Sequence, residues 1–190
     1  MKKAMIDYMQ KPINDELYTP VEAIKPIMKY LNKDWTYWEC TDYGKSNITK
    51  MLKLGGYKVV STKKQDLNFL TDKPNFAFDC IITNPPYSLK DEFLTKAYEY
   101  NKPFMFLLPI TAIEGVERNK LYREYGLELI VLDRRINYMK TKKNNWFNTS
   151  WFCYKICEKQ INFEQVKINT DETLDGQLTI FDLEKENINA

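Results

Sequence analysis

Residues 80–93 read CIITNPPYSLKDEF. An uncharged run with two isoleucines passes directly into Asn84-Pro85-Pro86-Tyr87, and a helical pattern follows. Proline fixes φ and confines the residue before it to extended geometry, so the backbone across Asn84-Pro85-Pro86 is stiff. Neither proline has an N–H to donate, which leaves the Pro85 carbonyl as an outward acceptor. The Asn84 side chain supplies a second acceptor, and Tyr87 supplies a flat ring beside them. Two acceptors and a stacking face form a receptor for a planar group that carries an NH2. The bland alternative is a rigid turn after a strand, with Tyr87 packed in the core.

Outward from this stretch, short apolar runs alternate with amphipathic ones. Strands are expected at 35–40, 57–61, 78–83, 104–108, 127–132 and 150–156, and helices at 20–31, 46–54, 89–100 and 116–125. Thr19, Pro20 and Glu22 read as a capping box for the first helix. Gly55-Gly56 reads as the end of the second. Alternating strands and helices predict an α/β fold, an open, mostly parallel sheet with helices on both faces, whose ligands bind at the carboxyl ends of the strands. Asn84 falls at such an end. After residue 160 the pattern decays, and 169–176 is polar and acidic, so the domain is expected over 1–160 and a linker and tail over 161–190.

Composition narrows the chemistry. The chain has 190 residues, 44% hydrophobic, enough for one domain with a packed core. A net charge of +2 means that any nucleic-acid contact must come from a local patch. No apolar run approaches the roughly 18 residues of a membrane span, so a cytoplasmic protein is expected. The four cysteines are then expected to stay reduced, and Cys153 and Cys157, with three residues between them, fit buried strand positions better than a zinc knuckle. With no histidine, imidazole base catalysis and the Ser-His-Asp triad are excluded. A reaction driven by positioning suits such a chain. An exocyclic amine is a poor nucleophile because its lone pair is conjugated with the ring. Acceptors placed for a tetrahedral nitrogen favour attack without any base.

Asn84-Pro85-Pro86-Tyr87 resembles motif IV, [DNS]-P-P-[YFW], of class I S-adenosyl-L-methionine (SAM)-dependent amino-methyltransferases, most often DNA adenine-N6 enzymes. Other pieces agree in order. Tyr18-Thr19-Pro20 is similar to the motif X segment near the methionine end of the cofactor, and Trp38-Glu39-Cys40 ends the first strand where motif I belongs. Residues 65–70, QDLNFL, resemble motif III, whose acid (here Asp66) can contact the cofactor adenine. FLLPITAIEG and LIVLDRRINY are similar to small methyltransferase-like proteins of phages and mobile elements. The resemblance covers roughly residues 17–158. It implies a Rossmann-like class I methyltransferase domain, SAM as cofactor, and a methyl transfer to the N6 amine of adenine in DNA. RNA adenine or a protein glutamine amide are the other substrates it admits, and a degenerate fold kept as a binding module is the non-enzyme alternative.

The pattern departs on the donor side. The motif I turn reads ECTDYGKSN, with Gly44 as its single glycine; Asp42, Ser46 and Asn47 stand where backbone contacts to the cofactor are usual, the alternative being that Ser46 or Asn47 is a plain helix cap. The acid that usually ends the second strand is replaced by Ser61-Thr62-Lys63-Lys64.

Two further stretches suggest partners. RRINYMKTKKNNWF, residues 134–147, interleaves five basic residues with aromatics and amides. Arg134, Arg135, Lys140, Lys142, Lys143 and Trp146 are candidate nucleic-acid contacts, against the reading of a solvated loop. Near the C-terminus, Gln177-Leu178-Thr179-Ile180-Phe181 resembles the bacterial sliding-clamp-binding peptide. Leu178, Ile180 and Phe181 would fill an apolar pocket and Gln177 would bond at its rim, unless the segment docks back on the domain. Deleting 177–181 is expected to abolish capture of the chain by an immobilised bacterial clamp. Undiminished capture would remove the clamp from the list of partners.

Overall fold

The structure is a computed structural model, and it describes residues 19–138 and 148–167. Seven strands form one sheet: β1 (Thr36–Glu39), β2 (Lys58–Ser61), β3 (Cys80–Thr83), β4 (Phe104–Pro109), β5 (Glu128–Leu132), β6 (Thr149–Tyr154) and β7 (Ile161–Glu164). Their order is β2-β1-β3-β4-β6-β5-β7. β1 pairs in parallel with β2 and β3, β3 with β4, and β5 with β7, whereas β6 runs antiparallel to both neighbours. One reversed strand in an otherwise parallel open α/β sheet is the Rossmann-like class I methyltransferase arrangement.

Side chains alternate along each strand between two cores, as the pleat requires. Tyr37, Cys80, Ile82, Met105, Leu107, Trp151 and Cys153 face one core, packed with Ala23, Ile24, Ile27, Ile48, Met51 and Leu52. Trp38, Ile81, Phe104, Phe106, Leu108, Phe152 and Tyr154 face the other, packed with Phe93, Leu94, Ala97 and Tyr98. Helices therefore cover both faces. All residues of β3 and β6 are buried, as expected of strands covered on two sides.

The helices are α1 (Val21–Ile24), α2 (Asn47–Leu54), α3 (Lys90–Glu99) and α4 (Val116–Tyr125). The first departs from expectation. Its N-cap is Pro20, one residue later than the capping box required, and no side-chain cap bond forms there. From Lys25 the segment tightens into a 3₁₀ turn through Tyr30. Pro26 explains this, because it lacks the N–H that would continue the α ladder. α2 ends as expected: Gly56 takes φ +75°, and the Tyr57 N–H reaches the Leu52 carbonyl at 2.9 Å.

The sheet also runs on past the boundary expected at residue 160. β7 adds to β5 beyond it, and Val166 is buried. The strand was missed because its outward residues, Ile161 and Phe163, are exposed and give no buried apolar run.

Trp38 is the hub of the second core, with ring centroids of Phe69, Phe76, Phe78 and Tyr100 at 5.0–5.9 Å. Trp38→Ala is expected to lose about 3–5 kcal/mol of stability, read as a lower urea midpoint at unchanged slope.

Candidate functional site

The chain runs from β1 outward to β2, then returns to β3 on the other side of β1 and continues to β4. The crevice between the ends of β1 and β3 is therefore the topological switch point, where open α/β sheets bind ligands. Residues 40–46 follow β1 there, and Asn84-Pro85-Pro86-Tyr87 follows β3. The two loops touch: Thr41 Oγ1 lies 2.5 Å from Thr83 Oγ1 and 3.4 Å from the Asn84 carbonyl oxygen.

Glu39, the last residue of β1, is 1% exposed. Its Oε1 accepts from the Thr83 hydroxyl at 2.6 Å, the Thr41 N–H at 3.0 Å and the Thr41 hydroxyl at 3.1 Å. Its Oε2 accepts from the Ser46 hydroxyl at 3.0 Å. Burial pushes the carboxyl up from its ordinary 4.5 to about 7, against the lowering effect of these donors. Thr41 and Thr83 supply three of these four donors, and the sequence did not single them out. A threonine closing a buried strand immediately before Asn84 was the available signal.

Asp42 organises the loop itself. Its Oδ1 accepts from the Gly44 N–H at 2.7 Å and the Ser46 N–H at 3.0 Å, and its Oδ2 from the Thr49 hydroxyl at 2.6 Å. Burial raises this carboxyl, but the donors from Thr49, Ser46, Gly44 and Lys45 outweigh it and hold the group below its ordinary value. Gly44 turns at φ +87°, a conformation that side chains disfavour. Ser46 is the N-cap of α2, accepting from the Thr49 N–H at 3.4 Å while donating to Glu39. The cap and the site thus share one residue. Asn47 Nδ2 holds the Thr19 carbonyl at 2.9 Å, which brings Thr19-Pro20 to the same loop. Tyr18 lies outside the described residues.

At the end of β2 the backbone laces to this loop, with the Thr62 N–H on the Glu39 carbonyl at 2.9 Å and the Asp42 N–H on the Thr62 carbonyl at 3.0 Å. The Thr62 hydroxyl accepts from Trp38 Nε1 at 2.9 Å, and Lys63 and Lys64 are exposed. Asp66 sits on an exposed turn, 3.8 Å from Lys63.

On the other side Pro85 is buried, while Asn84, Pro86 and Tyr87 are half-buried. Tyr87 packs partly against the aromatic core. Its hydroxyl donates to Tyr138 Oη at 3.4 Å, and Tyr138 donates to Thr149 Oγ1 at 3.0 Å. The segment after β5 therefore approaches motif IV. In that segment Arg134 is exposed beside Asp133, and exposed Arg135 bonds the Asn148 side chain at 2.8 Å. Lys140, Lys142, Lys143 and Trp146 lie outside the described residues, as do Gln177, Leu178, Ile180 and Phe181.

No family model matches this chain, and no curated protein matches it. Solved structures do. One is described as a modification subunit of a type I restriction enzyme from Vibrio vulnificus YJ016, at 9% identity and a TM-score of 0.43, covering 99% of this chain and 55% of that one. The chain thus spans little more than half of that protein. Another is described as an O-methyltransferase from Agrobacterium tumefaciens, at 15% identity and a TM-score of 0.33, covering 80% of this chain and 76% of that one. The assignment of the fold rests on the strand order itself.

The raised Glu39 carboxyl has a consequence for stability. Between 4.5 and about 7 the folded chain keeps a proton that the unfolded chain has released. This contribution is complete below 4.5 and is lost as pH rises through about 7. Relative to Glu39→Gln, wild-type stability is expected to fall by on the order of 3 kcal/mol across that window, read from urea unfolding at successive pH values.

Proposed function

We propose that the chain is a SAM-dependent methyltransferase acting on the N6 amine of adenine in DNA. One observation carries the reading: the loop after β1 and the Asn84-Pro85-Pro86-Tyr87 turn after β3 meet at the switch point of a class I methyltransferase sheet. Bound SAM supplies an electrophilic methyl group. The residues present suit its amino-acid half better than its ribose. Thr19, Pro20 and the loop shaped by Asp42, Gly44 and Ser46 would hold the former. The carboxylate usual at the end of β2 is absent, and the Thr62 hydroxyl there already accepts from Trp38. Glu39 and Asp42 are 1% and 6% exposed, so their work is to fix the shape of the wall.

On the acceptor side, the Asn84 side chain and the Pro85 carbonyl would take the two N–H bonds of the amine, and Tyr87 would stack on the ring. An adenine in a duplex must first be flipped out to reach them. Arg134 and Arg135, exposed after β5, would contact phosphates, and Lys140, Lys142, Lys143 and Trp146 would extend that contact. The missing ribose carboxylate favours a second reading, in which the fold serves as a DNA- or clamp-binding module.

Calorimetry with SAM, then tritiated methyl transfer to DNA, RNA and protein, separates these readings. We expect binding and transfer to DNA. No heat at millimolar SAM would end the enzyme reading, and label in RNA or protein alone would change the substrate. Asn84→Ala is expected to keep SAM binding and lose about 100-fold or more in transfer, the scale of removing one positioned polar group from a reacting centre. Unchanged turnover in that variant would strip Asn84 of its assigned role.

A further inference from the structure

We propose that Thr83 is a positioning residue that couples the buried Glu39 carboxyl to the Asn84–Pro85 peptide, an inference that rests on the methyl-transfer reading for its functional meaning. Thr83 closes a strand whose other residues are Cys80, Ile81 and Ile82, and it is fully buried. Packing alone is served equally well there by valine, which has the same shape. The hydroxyl answers to something else.

Its oxygen stands in a chain of contacts that crosses the switch point: Glu39 Oε1, then Thr83 Oγ1 at 2.6 Å, then Thr41 Oγ1 at 2.5 Å, then the Asn84 carbonyl at 3.4 Å. Each hydroxyl has one proton to give. With Glu39 ionised, the Thr83 proton points to the carboxylate, and the Thr41 proton is drawn towards Thr83 Oγ1 or Glu39 Oε1. With Glu39 protonated, the carboxyl can donate to Thr83 Oγ1. Thr83 can then donate to Thr41, and Thr41 to the Asn84 carbonyl. Such chains polarise together in a site of low dielectric. The end of the chain is the peptide that sets the Asn84 side chain and leads into Pro85. Proline confines that peptide to extended geometry, so a change in hydrogen bonding at its carbonyl is not absorbed by local rotation.

A second, longer link joins the same groups, since the Thr41 hydroxyl also meets Glu39 Oε1 directly at 3.1 Å. Cys40, immediately after β1, is buried, with its thiol pushed up by burial first and by Glu39 second, against a lowering contact with the Thr83 hydroxyl. Asp42, in the loop after it, is held below its ordinary value by its own donors. From α2 Glu39 meets the Ser46 hydroxyl, and from β3 the Thr83 hydroxyl.

The test needs no cofactor for its first arm. In ¹⁵N–¹H spectra of the free chain, the Asn84 side-chain amide is expected to shift with a midpoint near 7 in wild type and to stay still in Glu39→Gln. The shift should persist in Thr83→Ser and fall to less than half its amplitude in Thr83→Val, where only the longer direct link from Thr41 to Glu39 remains. Thr41→Val removes the hydroxyl that reaches the Asn84 carbonyl and should abolish the shift, and Thr83→Ala serves if Thr83→Val does not fold. In the second arm, Thr83→Val is expected to lower kcat about tenfold with KM for DNA unchanged, and Thr83→Ser to restore it. An Asn84 resonance that titrates in Thr83→Val with the wild-type amplitude overturns the coupling through Thr83, whatever the activity and whatever Thr41→Val does. A wild-type kcat in Thr83→Val overturns the positioning role. A wild-type chain that transfers no methyl group, with the titration diminished in Thr83→Val, sustains the coupling and rejects the methyl-transfer reading instead.

Discussion

A carboxyl group buried at the end of a central strand constrains everything around it. Burying Glu39 without partners would cost several kcal/mol, so its acceptors must be filled. Donors arrive from the loop after β1, from the cap of α2 and from the end of β3. Those three elements therefore cannot shift independently. Pairing of Trp38 with Ile81 carries Thr83 to the Glu39 carboxyl, and the Ser46 cap fixes where α2 begins. Motif IV then starts from a strand end whose position is already set.

The two cores hold this arrangement from opposite sides. Tyr37 and Trp38 are adjacent in β1, are both fully buried, and face different cores. The strand that carries Glu39 is thus packed on both faces, and so is β3 through Cys80, Ile81 and Ile82. Close-packed interiors resist small displacements, so loops rooted in these strands inherit their precision. A site whose chemistry is positioning needs that property more than it needs any single strong base.

Periodicity exposed most of the architecture. Six strands, both glycine-ended and apolar-striped helices, and the place of Asn84 were legible because burial on two sides writes long apolar runs and helical stripes. Three things were not. The first helix tightened at Pro26, where a lost N–H outweighed a favourable capping pattern. β7 escaped because an edge strand with Ile161 and Phe163 exposed carries no buried signature. Thr41, Thr49 and Thr83 escaped because hydroxyls acquire meaning only when folding brings a buried carboxyl to them. Asp66, which a motif suggested for the pocket, lies on an exposed turn beside Lys63.

The two sides of the crevice are built on different principles. On the acceptor side, prolines make the backbone itself rigid, so Asn84 and Tyr87 are presented at little entropic cost. On the donor side, the charges are turned inward: Glu39 and Asp42 give their oxygens to the protein's own hydroxyls and N–H groups. A hydrogen bond to a charged group contributes roughly 1.5–3 kcal/mol, so if SAM is the ligand, lacking one at the end of β2 would weaken the hold on its ribose by about ten- to hundredfold. What the loop offers in return is order before binding, since Asp42, Ser46 and Asn47 already fix its turns and the adjoining Thr19-Pro20. Preorganisation lowers the entropy lost on association, and so offsets part of that deficit. On the proposed reading, the inward carboxylates and the missing outward one are therefore one design: the crevice would grip a donor by shape where a glycine-rich loop with a ribose carboxylate would grip it by contacts.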